Sequence, residues 1–154
     1  MARQNSGGKF LVALVCVFFA ALVWYGAVLA EGALLQGVVS PRAGMKIQVW
    51  LDEFMAGQIA AITVAAVLGL LWHIIAIYSG GGIRGLWLIL GFVSIAIAIG
   101  ITALFLPLTQ EGLIWAYSFS FINGGATYWI ATVRTDGHCQ YDPIGAITIR
   151  RIGK

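Results

Sequence analysis

The amino-acid sequence predicts an all-α, polytopic integral membrane protein with four transmembrane helices in an up-down bundle. Of its 154 residues, 60% are hydrophobic and only 10% are charged, whereas soluble domains carry about 25% charged residues. Four stretches are uncharged, apolar and about 20 residues long, which is the length of a helix that crosses the hydrocarbon core of a bilayer. These stretches show no alternation of period two, which disfavours a transmembrane β-barrel.

The four predicted spans contain no Asp, Glu, Lys or Arg. They cover residues 10–30, 54–78, 86–106 and 112–133. The spans define a transmembrane domain over residues 1–133, and a C-terminal tail follows over residues 134–154. Because carboxylates inside a membrane commonly mark ion and proton pathways, spans without them predict no acidic relay for proton or sodium coupling.

The connections between the spans differ in length. The first connection, residues 31–53, is the longest. Near its end, apolar residues begin to recur at i, i+3, i+4 and i+7, and the last of them opens the second span: Ile47, Trp50, Leu51 and Phe54. This spacing favours an amphipathic helix, although "KIQVWLD" could also alternate as a strand. The other connections, "SGGGIRG" and "PLTQE", are short, and short connections make neighbouring helices antiparallel.

The basic residues are distributed unequally between the two sides of the predicted bundle. One side holds seven of them: Arg3, Lys9, Arg84, Arg134, Arg150, Arg151 and Lys154. The opposite side holds Arg42 and Lys46. Because loops rich in Lys and Arg stay in the cytoplasm, the asymmetry predicts a multi-pass protein of the cytoplasmic (inner) membrane with both termini cytoplasmic.

The first span has a second interpretation, as a cleaved signal peptide. Arg3 and Lys9 would then form its basic region, with Val28 and Ala30 at the positions that a signal peptidase reads. Signal peptides have apolar regions of about 7–15 residues, whereas this one runs over 21. Cleavage would also leave three spans and break the charge asymmetry, so an uncleaved anchor is favoured.

The tail contains the pattern of a small hairpin. Asp142-Pro143-Ile144-Gly145 has the residue set of a type I turn, and "AITIR" after it alternates like a strand. A two-stranded hairpin is marginally stable in water. We therefore expect a small cytoplasmic β-hairpin that needs a partner surface.

The sequence offers little catalytic chemistry. The glycine run in "SGGGIRG" lacks the Lys-Ser or Lys-Thr of a phosphate-binding loop, and neither GxSxG nor HExxH occurs. Cys16 and Cys139 cannot frame a disulfide scaffold and have no CxxC spacing for zinc. We therefore expect no enzyme activity, no catalytic residue, no metal site and no cofactor.

His73 ends a row of small residues in the second span. Steps of four from one end of the row to the other give Gly57, Ala61, Ala65, Gly69 and His73. Small residues at this spacing let helix backbones approach closely, so the row, called the small-residue ladder below, predicts that His73 faces a neighbouring helix. The favoured role is a hydrogen bond that helps helices pack. A haem or proton role stays open, but His138 of the tail is the only other histidine, so a haem would need a second copy or another subunit.

The third and fourth spans carry weaker polar patterns. Ser94, Ala98 and Thr102 recur at steps of four in the third span and predict a second packing face. In the fourth span Ser120, Asn123 and Thr127 share a face, beside two glycines, Gly124 and Gly125. They could line a polar cavity, but hydrogen bonds between helices are the favoured interpretation.

Aromatic residues cluster near both predicted interfaces and predict aromatic belts in contact with the headgroups. One cluster holds Tyr78, Trp87, Tyr128 and Trp129, and the other holds Trp24, Tyr25, Trp50 and Trp115.

These features favour a non-catalytic integral membrane subunit, or an assembly or scaffold component, of a larger multi-subunit membrane complex. The alternative is a small oligomeric transporter or channel, with Asn123 and His73 along the path. A third hypothesis is an electron-transfer subunit with His73 as a ligand. Expected partners are the lipid bilayer and either other membrane subunits or copies of the chain. Nucleic acid is not expected, because the basic residues form no stripe.

Overall fold

The computed structural model describes residues 6–39, 46–78, 84–106 and 112–132. These ranges form four helices: α1 (Ser6–Leu35), α2 (Ile47–Tyr78), α3 (Arg84–Phe105) and α4 (Leu113–Thr132). No strand occurs within the described ranges, so the all-α prediction is confirmed there. The predicted hairpin lies outside the described residues.

The helices run alternately up and down. A Cβ on Gly32, near the end of α1, would lie 3.5 Å from the Met55 sulfur near the start of α2. The end of α2 lies near the end of α4, because His73 Nε2 is 2.7 Å from the Ala131 carbonyl oxygen. α2 and α4 contact each other and both remaining helices, whereas the described parts of α1 and α3 do not meet. α2 and α4 therefore form the short diagonal of the bundle, with α1 and α3 at its outer corners.

In the described part of the chain, three helices are long and apolar enough to cross a membrane: Ala13–Leu35, Ile47–Ala76 and Gly85–Phe105. α4, with 20 residues, is not among them. A larger share of its side chains is polar than in the other helices, and they include those that the sequence placed on one face.

The distribution of side chains is inverted relative to a soluble protein. Phe18, Phe92 and Leu104 are 68%, 70% and 84% exposed, while Gln58 and Asn123 are fully buried. Soluble proteins rarely bury amides and leave large apolar patches in water. The inverted pattern is the one expected of helices surrounded by lipid.

The long first connection is shorter than predicted. α1 continues to Leu35, and α2 begins at Ile47. The helical interpretation of the amphipathic stretch is confirmed, because Trp50, Leu51 and Phe54 are buried together, and the Trp50 and Phe54 rings stack with centroids 5.5 Å apart.

The helices extend beyond the predicted spans and take in acidic residues that the prediction placed in the first connection. Glu31 lies in the candidate span Ala13–Leu35, and Asp52 and Glu53 lie in Ile47–Ala76. Each predicted span ended at the nearest charged residue. The segments "EGALL" and "IQVWLDE" contain no proline that would end a helix, so the helices continue through them. A helix of 32 residues is about 48 Å long, which exceeds the hydrocarbon thickness, so a helix can continue past its apolar centre.

The predicted aromatic belts are wrong for three residues, since Trp50, Trp87 and Tyr128 are buried. Trp87 Nε1 donates to Thr132 Oγ1 at 3.0 Å, and the Tyr128 hydroxyl donates to the Trp87 carbonyl oxygen at 2.9 Å. These polar ends find partners on neighbouring helices, so the rings fill the interior. Tyr78, Trp115 and Trp129 are exposed, as a belt requires.

Candidate functional site

A set of polar side chains meets where the four helices come together, and Gln58 of α2 is at its centre. Its Nε2 donates to Ser120 Oγ of α4 at 2.8 Å and lies 3.3 Å from Thr102 Oγ1 of α3. The same Nε2 is 3.4 Å from the Ala116 carbonyl oxygen. The amide oxygen of Gln58 accepts a hydrogen bond from Asn123 Nδ2 at 3.0 Å.

Asn123 extends these contacts to the first helix. Its Nδ2 also donates to Glu31 Oε2 at 2.9 Å. We call Glu31, Gln58, Thr102, Ser120 and Asn123 the polar network, and it draws at least one side chain from each helix. Glu31 is half-buried, whereas the other four members are fully buried.

The hydroxyl groups complete the bonding of Gln58. Thr102 Oγ1 and Ser120 Oγ are 2.6 Å apart, and Ser120 Oγ donates to the Ala116 carbonyl oxygen at 2.7 Å. A buried polar group without a partner costs about 1–3 kcal/mol. Each side chain in the network therefore depends on its partners from other helices, and this dependence fixes how the helices meet.

Two oxygen atoms beside the network have no hydrogen-bond partner. They are Oδ1 of Asn123 and Oγ1 of Thr127, one turn further along α4, and both side chains are fully buried. Among the side chains that the structure describes, Glu31 bonds to Asn123 and forms no ion pair. Within the described ranges, the site thus combines a carboxylate that forms no ion pair with two oxygens that have no hydrogen-bond partner.

His73 lies in a separate place. It is 15 residues from Gln58 along α2, or about 22 Å, and its Nε2 is 2.7 Å from the Ala131 carbonyl oxygen. A carbonyl only accepts, so Nε2 carries the hydrogen and donates. Ala131 lies in the last described turn of α4. His73 therefore joins α2 to the backbone of α4 in that turn.

Every member of the small-residue ladder is buried. A Cβ on Gly57 would lie 3.5 Å from the Thr102 Cα of α3, whereas a Cβ on Gly69 would lie only 2.7 Å from the Ala131 Cβ of α4. Steps of four residues turn about 40° each around a helix with 3.6 residues per turn. The ladder therefore passes from the α3 side at Gly57 to the α4 side at Gly69 and His73.

The predicted residues of the third span lie along the contact of α3 with α4. Ser94 Oγ donates to the Gly124 carbonyl oxygen at 3.0 Å, and a Cβ on Gly124 would lie 2.7 Å from the Ala98 Cβ. Thr102 joins the polar network instead. Ser94, Ala98, Ser120, Asn123 and Thr127 are all buried, but Asn123 bonds to Glu31 of α1 and Gln58 of α2 and not to α3.

Sequence reasoning missed Glu31 and Gln58. Gln58 is the only amide in the predicted second span, and it is next to Gly57 of the ladder. A polar side chain beside a packing face could have been used to predict a hydrogen bond to a neighbouring helix. Glu31 was assigned to a loop because it carries a charge. No single feature of its surroundings predicts that it reaches Asn123.

The chemistry available to this site is narrow. No group of three His, Cys, Asp or Glu side chains that could hold a metal occurs in the described ranges. A carboxylate, two amides and three hydroxyls can fasten helices or bind a small cation. Comparison with known proteins gives no match to a family model, a curated protein or a solved structure.

Proposed function

We propose that the chain is a non-catalytic integral membrane subunit or assembly component of a larger membrane complex, with both termini in the cytoplasm. The observation that carries the proposal is the polar network, whose buried side chains bond mainly to one another and to backbone atoms across all four helices. Such pairing serves to hold helices in register, whereas a reaction centre needs a nucleophile or base that is free to act.

In this proposal α4 is the fourth span. Its 20 residues extend over about 30 Å, which matches the hydrocarbon thickness. It lies alongside α2, a candidate span, from the Gln58–Ser120 contact to the His73–Ala131 contact. Its polar side chains Ser120, Asn123 and Thr127 are buried, and Ile114, Phe121 and Ile122 are exposed. These features support a helix that sits in the bilayer with the other three.

Small residues on the outer helices support a partner within the membrane. Gly26 of α1 and Gly100 of α3 are exposed, and a Cβ on either would have no atom within 4 Å. A glycine on the outer surface of a membrane helix allows the backbone of another helix to come close. α1 and α3 stand at the outer corners, where further subunits would dock.

Purification in mild detergent followed by mass spectrometry tests this function. We expect a distinct membrane protein at fixed stoichiometry, and we expect Gly100→Leu to reduce its recovery without lowering the melting temperature of the chain. We expect the same result for Gly26→Leu, the corresponding variant on α1. Recovery of the chain alone, as a monomer or as a homo-oligomer, would contradict the proposal.

A second candidate is a small oligomeric transporter or channel. The observation in its favour is Glu31, a carboxylate on a candidate span that bonds to the buried Asn123, because ionisable residues within a membrane commonly serve ion or substrate pathways. Reconstitution into liposomes tests it: Glu31→Gln should abolish flux, and Glu53→Gln should not.

An electron-transfer role has less support. His73 Nε2 faces the Ala131 carbonyl oxygen at hydrogen-bond distance, which leaves that nitrogen unsuited to bind a haem iron. A Soret band in the visible spectrum of the purified protein would nevertheless restore this hypothesis.

A further inference from the structure

The side-chain amide of Asn123 has one atom that its partners leave unsatisfied. Its Nδ2 donates to Glu31 Oε2 at 2.9 Å and to Gln58 Oε1 at 3.0 Å, which uses both N–H groups. Its Oδ1 is buried and has no hydrogen-bond partner within the described ranges. Because a buried acceptor without a donor is costly, a donor is expected at this oxygen.

Of the two side chains that bond to Asn123, only Glu31 can supply the donor. Gln58 Nε2 lies 2.8 Å from Ser120 Oγ and 3.3 Å from Thr102 Oγ1, and these two acceptors occupy its two N–H groups. The carboxyl group of Glu31 becomes a donor when it carries a proton. A proton on Glu31 would therefore complete the bonding of Asn123 without any further group.

The contact between the two groups suits a second hydrogen bond. The two oxygens of a carboxyl group, like the oxygen and nitrogen of an amide, are about 2.3 Å apart. When such groups face each other in one plane with one N–H···O bond already formed, here at 2.9 Å, their other two atoms also come within hydrogen-bond distance. The result is a cyclic pair in which the carboxyl group accepts from Nδ2 and donates to Oδ1.

The depth of the contact favours a neutral carboxyl group. Glu31 lies on the candidate span Ala13–Leu35, and its partner Asn123 comes ten residues after Leu113, the first residue of α4. In the function proposed above, on which the inference rests in this respect, α4 crosses the bilayer, so the contact lies about 15 Å along a spanning helix. A charged carboxylate is costly in hydrocarbon, and uptake of a proton removes that cost.

The titratable groups of the helices packed against α1 do not oppose this inference. At this end of the bundle they are two carboxylates on α2 and one tyrosine on α4: Asp52, Glu53 and Tyr117. Carboxylates on a neighbouring helix can only disfavour a further negative charge. Lys46 is exposed and precedes α2, about 18 Å along the helix from Gln58. Arg42 lies outside the described residues, so it is included in the experiment.

We propose that Glu31 binds a proton in the folded chain and donates it to Asn123 Oδ1, so that the two side chains form a cyclic acid–amide pair between α1 and α4. The pair makes the attachment of the outer helix α1 sensitive to pH. Loss of the proton breaks the bond to Oδ1 and leaves a negative charge beside that oxygen, which weakens the contact.

Infrared spectroscopy of the purified full chain, reconstituted in lipid, tests the proton directly. A protonated carboxyl group has a C=O stretching band distinct from the bands of a carboxylate, and this band shifts in D₂O. The wild type should show it at neutral pH and lose it at high pH. Glu31→Gln should lack it, whereas Glu53→Gln should keep it. Asn123→Leu should shift it, because the carboxyl group then loses both bonds to the amide.

Thermal unfolding as a function of pH measures the consequence for α1. A proton that binds the folded chain more tightly than the unfolded chain stabilises it at low pH, and this stabilisation is lost as the pH rises and Glu31 ionises. The melting temperature of the wild type should therefore fall over the range in which the infrared band disappears. Glu31→Gln carries an amide that both accepts and donates without titrating, so it should lack this fall. Glu53→Gln should keep it.

Three results would overturn the proposal. The first is a wild type without the carboxylic acid band at any pH at which it stays folded. The second is a band that persists in Glu31→Gln. The third is a band that appears only in Arg42→Gln, which would mean that Arg42 compensates an ionised Glu31. The band does not depend on recovery of a partner subunit, so failure of the proposed function and failure of this inference are distinguishable.

Discussion

Asn123 Nδ2 lies 2.9 Å from Glu31 Oε2 and 3.0 Å from Gln58 Oε1, so one amide group of α4 holds acceptors from both α1 and α2. The two N–H groups of a primary amide suit this bridging position, which a hydroxyl or an apolar side chain could not fill. Because α1 stands at an outer corner of the bundle, its attachment through Glu31 depends on Asn123.

Replacement of Asn123 should therefore destabilise the bundle. In Asn123→Leu, the Gln58 oxygen and the Glu31 carboxylate would lose their donor, and we expect a loss of about 1–3 kcal/mol in the free energy of unfolding. Reversible unfolding in mixed micelles measures it. Thr63→Val, which removes a hydrogen bond within one helix, is the control. Equal losses in the two variants would mean that the bridge contributes nothing.

The two tightest glycine contacts should not accept a methyl group. A Cβ on Gly69 or Gly124 would lie 2.7 Å from the Cβ of an alanine on the facing helix. Gly69→Ala and Gly124→Ala should each cost about 1–3 kcal/mol, the range for overpacking. Gly100→Ala, at an open position, should be neutral or should stabilise by up to about 1 kcal/mol.

The control position matters for this comparison. Ala66 lies off the ladder, which makes it an apparent reference for substitutions at Ala65 or Gly69, but it is only 7% exposed. A larger residue at Ala66 would therefore also meet neighbours. If Gly100→Ala destabilises as much as Gly69→Ala, the cost of Gly69→Ala does not come from a close contact between helices.

His73 should tolerate a change that keeps its donor. His73→Gln retains an N–H group that can reach the Ala131 carbonyl, so its stability should stay near that of the wild type. His73→Leu removes this hydrogen bond and should lose about 1 kcal/mol, the scale of hydrogen bonds between membrane helices. Melting temperatures of the two variants in detergent make the comparison. Equal destabilisation by Gln and Leu would rule out the hydrogen bond to Ala131 as the role of His73.

The orientation is open to a direct test with reporter fusions. Reporters before Arg3 and after Lys154 should both give cytoplasmic signals, and one inserted near Gly44 should report the opposite side, because seven basic residues lie on the predicted cytoplasmic side. A C-terminus on the far side would mean an odd number of spans and would remove α4 from the membrane.

Periodicity explains which parts of the fold could be predicted from the sequence. Helices were predictable because the apolar runs are long, and the start of α2 was predictable because Ile47, Trp50 and Phe54 recur at helical spacing. The inward face of α4 follows from the same spacing of Ser120, Asn123 and Thr127. These features are local, so they can be read from one segment at a time.

The polar network could not be predicted in the same way. Glu31 and Asn123 are 92 residues apart, and their contact depends on the register between α1 and α4, which no local pattern encodes. The rule that a charge ends a span also placed Glu31 outside the helix. The positions of Trp87 and Tyr128 were predicted wrongly for a related reason. The same local sequence near a helix end allows an aromatic ring to face either the headgroups or a neighbouring helix.

A double-mutant cycle between Gln58 and Ser120 tests most directly whether buried side chains fasten the four helices. Gln58→Leu, Ser120→Ala and the double variant would be compared by reversible unfolding, with Ser94→Ala in place of Ser120→Ala as the control, since Ser94 bonds to Gly124 and not to Gln58. We predict a coupling energy of about 0.5–1.7 kcal/mol for Gln58 with Ser120 and additive effects for Gln58 with Ser94. Additive effects in both cycles would contradict the account.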